Sequence, residues 1–249
     1  MNISTEFLHR RYTQQAGWTA QLRRHIFTRA GLPNARRILE IGCGTGAILR
    51  TINHGPETHL FGLDIDLLSL QVAQGNAKGA IWTSGDAHHL PFPDGSVDIS
   101  FFHFVLLWLA DPIRALGEAR RATRDGGAVI AFAEPDYSQR VATTSSLARI
   151  GQLQADSLYS QGANPNLGSQ LEELFVSAGI QPIEVGELLS DPSLMKDESI
   201  GLELETLKSD LAKVVPAREL DQLMDALQET KEGLVTLQVP TFYCWAWVN

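Results

Sequence analysis

The stretch Ile38-Leu39-Glu40-Ile41-Gly42-Cys43-Gly44-Thr45-Gly46 decides how this chain folds. Its first four residues read as a short apolar strand, and a helix is expected to open at Ala47 and run to Ile52. A strand feeding a glycine-rich turn leaves backbone N–H groups and bare Cα atoms at the carboxyl edge of a sheet. A ligand can approach that backbone closely, because no Cβ stands in the way. Alone, the loop is ambiguous. Gly42-x-Gly44-x-x-Ala47 also satisfies a dinucleotide pattern that admits alanine at its last position.

Outward from the loop the pattern alternates. Strands are expected at His59–Leu63 (ending at Asp64), Ala80–Thr83 and Val97–His103, and at Ala128–Ala133 after the turn Gly126-Gly127. Helices are expected at Leu67–Asn76 and from Asp111-Pro112 to Thr123, with Asp111 as cap and Pro112 in the first helical position. Strands separated by helices mean right-handed βαβ units, an α/β doubly wound sheet with helices on both faces. Before this core, residues 5–30 read as one or two helices broken near Gly17 and stopped by Gly31-Leu32-Pro33. After it, helices are expected over 141–162, 167–178 and 193–235 (interrupted by Pro216), with strands at 183–189 and 241–248. One domain over 1–249 follows. Residues 1–35 would form an N-terminal cover, 36–135 the core, 136–166 and 190–239 helical insertions, and 167–189 with 240–249 the rest of the core.

Composition excludes several classes. With 44% hydrophobic and 20% charged residues the chain is an ordinary globular one. No apolar run reaches the roughly 18 residues of a membrane span, and the N-terminus carries no export pattern. Cys43 and Cys244 are too few for a disulfide framework, so a cytoplasmic location is expected. A net charge of −9 argues against nucleic acid as partner, and no Asp/Asn-Pro-Pro-Tyr/Phe run for a flipped base is present. The charge is uneven: residues 1–37 hold seven arginines against one acid, Glu6. A solvated helix face is the favoured reading of that segment, ahead of pairing with an anionic substrate or with the chain's own acids.

Two further acids narrow the glycine loop's ligand. Asp64 ends the second strand, where a carboxylate can accept from a ribose diol, while Asp66 is free to cap the following helix. Glu40 precedes the loop on the strand itself, where it would repel a diphosphate and attract a sulfonium or an ammonium. Gly85-Asp86-Ala87 ends the third strand, placing a carboxylate where it could accept from adenine's amine. A nicotinamide dehydrogenase is disfavoured by Glu40.

Together with Gly62-Leu63-Asp64-Ile65-Asp66, Gly85-Asp86-Ala87, Pro91-Phe92 and Asp125-Gly126-Gly127, the opening stretch resembles the class I, Rossmann-like, S-adenosylmethionine-dependent methyltransferases. The style is that of the small-molecule branch with the ubiquinone and menaquinone biosynthesis enzymes. The likeness covers residues 36–134 well and 167–189 loosely. It implies a mostly parallel seven-stranded sheet whose last strand is antiparallel, with a helical cover. It implies S-adenosyl-L-methionine as cofactor, with Gly42, Cys43, Gly44 and Gly46 at its methionine part and the Phe102 backbone facing the amine. Asp64 would hold the ribose, Ile65 would pack on adenine, and Asp86 with Ala87 would read its edge. Tyr12 lies where relatives close over the cofactor. The chain departs from the branch at Leu107-Trp108, where a Glu-His pair is common.

Methyl transfer is an in-line displacement from a donor that is already activated, so a catalytic residue need leave no signature. His103, after the fourth strand, is the candidate base; a structural histidine is the blander reading. Glu134, Asp136 and Tyr137 share that edge. His88-His89 has no third ligand spaced for a metal. Trp18, Trp108, Tyr159 and Met195 are candidates for an acceptor pocket, with core packing as their duller alternative. The expectation is a monomeric or homodimeric enzyme that methylates a small-molecule acceptor. The alternative is a methyltransferase-like S-adenosylmethionine-binding regulatory protein without turnover.

Overall fold

A computed structural model describes residues 4–140, 142, 144–188, 197–229 and 239–249. Its centre is a seven-stranded sheet of β1 (Arg37–Ile41), β2 (His59–Asp64), β3 (Ile81–Ser84), β4 (Val97–His103), β5 (Thr123–Pro135), β6 (Glu184–Leu188) and β7 (Thr241–Trp247). The spatial order is β3-β2-β1-β4-β5-β7-β6. The first five strands run parallel, and β7 runs antiparallel between β5 and β6. The order reverses between β1 and β4, and that switch point opens a crevice at the carboxyl ends of both strands.

Among the described residues, eight α-helices accompany the sheet: α1 (Thr5–Trp18), α2 (Ala20–Arg29), α3 (Leu67–Asn76), α4 (Pro112–Ala122), α5 (Ser145–Ser160), α6 (Leu171–Ser177), α7 (Asp197–Leu211) and α8 (Ala217–Glu229). Short polar side chains set the starts of α1, α3, α4 and α5. Asp66 accepts from Leu68 N (3.0 Å) and Asp111 from Arg114 N (2.9 Å), each satisfying an orphan donor of the first turn. Side chains alternate across each strand, so Leu39, Ile41 and Phe102 pack under α4 and α6, while Ile38, Ile99 and Phe101 pack under α2. Phe27 of α2 meets Phe101 and Phe132 edge-on at 5.2 and 5.3 Å. Burying that one ring contributes ~1.5–3 kcal/mol and locks α2 to the sheet. A third apolar cluster, built on Leu147, Ile150, Leu207, Leu211, Leu220 and Leu227, belongs to α5, α7 and α8 alone.

Two expectations are corrected. No α-helix follows the glycine loop; residues 49–51 make a single 3₁₀ turn. Thr51 Oγ1 donates back to Ile48 O (2.7 Å) and receives Arg23 (3.2 Å), a side-chain competition that, with Ile48 and Ile52 β-branched, halts propagation. The basic N-terminal segment is only in part a solvated face: Arg10, Arg24, Arg29, Arg36 and Arg37 are exposed. Arg10 pairs with Glu205, Arg11 with Glu203 and Arg29 with Glu184, while Arg23 is buried. The segment meets the chain's own acids. Residues 189, 193–196 and 230–235 of the expected strand and helix lie outside the described residues. Among those described, no helix is long and apolar enough to cross a membrane.

Candidate functional site

The crevice at the switch point opens into one cavity of about 1240 Å³. Single ligand pockets are typically about 300–1,000 Å³, so this one has room for two small molecules side by side. Its floor is the strand edge and its roof is α1, α5 and α7. Of the residues expected at a donor site, Tyr12, Glu40, Gly42, Cys43, Gly44, Asp64, Ile65, Asp86 and Ala87 all line it. Gly46 and Phe102 do not. A Cβ on Gly46 would meet the Trp82 ring at 2.8 Å, so that glycine serves strand-to-loop packing. Phe102 is fully buried in the core, and it is Phe104, two residues on, that reaches the cavity.

The glycine loop is held rigid from both sides. Gly42 N and Cys43 N both donate to Leu63 O (2.7 and 2.9 Å), and Gly44 N donates to Asp64 Oδ2 (2.6 Å). Gly42, Gly44 and Gly46 have φ of 74°, 49° and 74°, left-handed values that favour glycine. Above the loop, a Cβ on Gly44 would lie 2.9 Å from the Tyr12 ring: the bare Cα is what lets that ring close down. The helix carrying Tyr12 is tied to the loop by a triangle. His9 Nδ1 hydrogen-bonds Thr45 Oγ1 (2.8 Å), and Asn76 Nδ2 reaches both His9 Nδ1 (3.1 Å) and Thr45 O (3.2 Å). Leu8, Arg11, Tyr12, Gln15, Trp18 and Thr19 face the cavity at helical spacing.

Three carboxylates mark the strand ends. Asp64 Oδ1 accepts from Asp66 N (2.9 Å), which orients the group and leaves lone pairs on both oxygens. Burial pushes its pKa up, against the pull of those backbone N–H groups. Ile65 beside it is 74% exposed, an apolar plate at the cavity mouth. Asp86 Oδ1 accepts from His88 N (2.9 Å) and contacts His88 Nδ1 (2.6 Å), and these bonds lower its pKa. His88 is thus occupied in shaping this turn. Glu40 is buried, its Oε2 has no partner among the described residues, and desolvation raises its pKa well above the ordinary value although Arg23 opposes the shift. A cation bound against it would favour the ionised form. The Cys43 thiol is pushed up by burial and then by Glu40 and Asp64, so it sits as a neutral apolar wall.

His103 is buried, and its Nε2 is hydrogen-bonded to Thr19 Oγ1 (2.8 Å). Burial and then Arg23 hold its pKa well below 6.5, leaving a neutral imidazole. Glu134 is fully buried, with Oε1 accepting from Val105 N (2.9 Å) and Leu106 N (3.0 Å) and Oε2 from Leu107 N (3.1 Å). Desolvation pushes its pKa to about 7 despite those three donors. It pins the segment after β4, where Phe104 has φ 56°, and so presses Val105 over Gly42, whose Cβ position is 2.6 Å from the Val105 methyls. Trp18 and Trp108 line the cavity, Tyr159 points to Asn166 instead, and Met195 lies outside the described residues.

Sequence reasoning missed the His9–Thr45–Asn76 triangle and the cover's Arg140, Gln154 and Asp210, which also line the cavity. The triangle joins three elements distant in sequence and leaves no local pattern. Arg140 sits just past the Asp136-Tyr137 pair and would have been found by asking which cations follow a strand's carboxyl end.

Residues 39–131 match a family model described as a methyltransferase domain. A malonyl-acyl-carrier-protein O-methyltransferase of Erwinia pyrifoliae is 33% identical over 121 residues, 49% of this chain and 46% of that protein. A demethylmenaquinone methyltransferase of Thermotoga maritima is 32% identical over 98 residues, 39% of this chain and 43% of that protein. The chain spans about half the length of the curated relatives it matches. Among solved structures, a putative methyltransferase from an antibiotic biosynthesis pathway of Anabaena variabilis superposes with a TM-score of 0.63. That match covers 91% of this chain and 96% of the other at 15% identity, a likeness of fold.

Proposed function

We propose, from the match of residues 39–131 to a family model described as a methyltransferase domain, that this chain transfers a methyl group from S-adenosylmethionine to a small-molecule acceptor. The observation that carries the reading is the convergence of Gly42, Gly44, Asp64 and Asp86, from three successive strand ends, on one cavity under Tyr12. The residues fit the cofactor chemically. Gly44 has a bare Cα over which only the Tyr12 ring closes, and Glu40 keeps an unpartnered carboxyl oxygen on the same cavity. The single 3₁₀ turn after the loop offers little of the helix dipole that a dinucleotide's phosphates use.

Gly42, Cys43 and Gly44 would hold the methionine part, Asp64 the ribose, and Ile65, Asp86 and Ala87 the adenine. The cofactor supplies a methyl group already activated on a sulfonium. The protein's own work is alignment and exclusion of water: Tyr12 closes the loop from above, and Val105, pressed down by Glu134, closes it from the side. His103 is the proposed base for an alcohol, phenol or carbon acid. The burial and the Arg23 charge that keep its imidazole neutral also weaken it as a base, and its Nε2 is held by the Thr19 hydroxyl, so a proton taken up there passes through Thr19. The engagement of His103 by Thr19 is also what favours the second reading, a cofactor-binding regulatory protein without turnover. Methyl transfer from labelled donor to any metabolite of a cell extract dismisses it. A reducing cytoplasm suits the free, buried Cys43 and Cys244 and belongs to the same proposal, as does a monomer or homodimer.

Asp64→Ala tests the donor assignment. Affinity for S-adenosylhomocysteine should fall about tenfold or more, the loss expected for hydrogen bonds to a charged group. Unchanged affinity refutes the ribose role.

A further inference from the structure

The roof of the cavity carries a polar cluster that donor binding leaves unused. Arg140, five residues beyond the end of β5, lies with its guanidinium 4.9 Å over the Tyr137 ring. Its Nη2 donates to Gln154 Oε1 (2.8 Å), while Nε and Nη1 are shielded from solvent and have no partner among the described residues. Arginine remains charged under such burial, so these are buried donors of a cation without an acceptor. Such groups are costly to leave unsatisfied, and an acceptor that reaches them gains what they lack.

The surrounding charges do not supply one. Asp210 on α7 takes Gln154 Nε2 on Oδ2 (3.0 Å) and has Lys213 Nζ 3.9 Å from Oδ1. Glu203 is engaged by Arg11. Among the described residues, three cations, Arg11, Arg140 and Lys213, therefore meet two carboxylates at this end of the cavity. The cluster shares a wall with the donor loop. Arg11 and Tyr12 are adjacent on α1, one turned to Glu203 and the other to Gly44.

We propose that this end of the cavity binds an anionic group on the acceptor, a carboxylate or a phosphate monoester, with Arg140 as the residue that pairs with it. The inference rests on the methyltransferase reading and names the class of its acceptor: an organic acid with an apolar body. The body packs on Leu107, Trp108, Leu158 and Leu207, which line the cavity between the cluster and the strand edge. The planar fork of a guanidinium accepts both anions through paired N–H bonds, which an ammonium does not do.

Calorimetric titration of the protein, with and without saturating S-adenosylhomocysteine, uses benzoate, phenyl phosphate, benzamide and benzylamine as probes. Benzoate or phenyl phosphate should bind at least about tenfold tighter than benzamide. The tighter of the two anions identifies a carboxylic or a phosphorylated acceptor. Arg140→Gln should erase the preference while leaving S-adenosylhomocysteine affinity unchanged. Asp210→Asn, which removes the nearest competing charge at constant shape, should raise anion affinity severalfold and gives a second readout should Arg140→Gln fail to fold. Equal binding of benzoate and benzamide, tighter binding of benzylamine, or no anion binding at millimolar concentration overturns the proposal. Loss of S-adenosylhomocysteine binding alone counts against the methyltransferase reading, since the titration without it still reports on the anion end.

Discussion

Residues 36–134 present a ligand with backbone and with carboxylates fixed at strand ends, whereas α1, α5 and α7 present it with side chains alone. The cores differ too: the sheet's two apolar layers take in Ala16 of α1 and Leu158 of α5, while the Leu147–Leu227 cluster joins α5, α7 and α8. A backbone site needs particular residues at particular turns, so it constrains sequence tightly. A roof of side chains on packed helices needs only an apolar face toward its neighbours, and its inner surface is free to vary. The proposed donor end is thus general and the proposed acceptor end individual.

The contrast breaks first if the cover and the floor are one cooperative unit. Leu211→Ala empties part of the cover's core and should cost ~2–5 kcal/mol. Hydrogen exchange should show α5, α7 and α8 opening while the amides of β1 and β4 stay protected and S-adenosylhomocysteine affinity changes little. The converse is Gly44→Val. A side chain there meets Tyr12 at a left-handed φ of 49°, so donor affinity should fall about a hundredfold, ~2.7 kcal/mol, with the cover's exchange unchanged.

Those two positions also show what was legible. Gly44 announced itself: glycines after an apolar strand, followed by acids at the next strand ends, give the fold class, the strand order's switch point and most of the wall proposed to hold the donor. Leu211 announced only a helix. The corrections have the same origin. Thr51 halts the expected helix through Arg23, which lies 28 residues earlier, and Arg11 is paired by Glu203 from a helix 192 residues later. Neither partner is visible in a local window. His103 was read from its place at a strand end, and its Thr19 hydrogen bond could be found only in three dimensions.

Glu134 braces the sheet half from within, through Val105, Leu106 and Leu107, and sharpens the comparison. Glu134→Gln turns an amide N–H toward at least one of three backbone donors and should cost ~1–3 kcal/mol. Its pH dependence has a definite sign. Because the folded pKa is raised from 4.5 to about 7, the group's contribution is fully present below pH 4.5 and is lost as pH rises through about 7. The Gln variant should lack that decline, as measured by urea unfolding across this window. The smallest effect lies on the outer surface of the cover. Arg149→Ala removes the exposed pair with Glu219 and should shift stability by less than ~1 kcal/mol.

The central claim is that the glycine loop, Asp64 and Asp86 form a methyl-donor site, and calorimetry with S-adenosylhomocysteine and NADH measures it most directly. The account predicts stoichiometric binding of S-adenosylhomocysteine, weakened about tenfold or more in Asp64→Ala, and no binding of NADH. Binding of NADH without S-adenosylhomocysteine would contradict it.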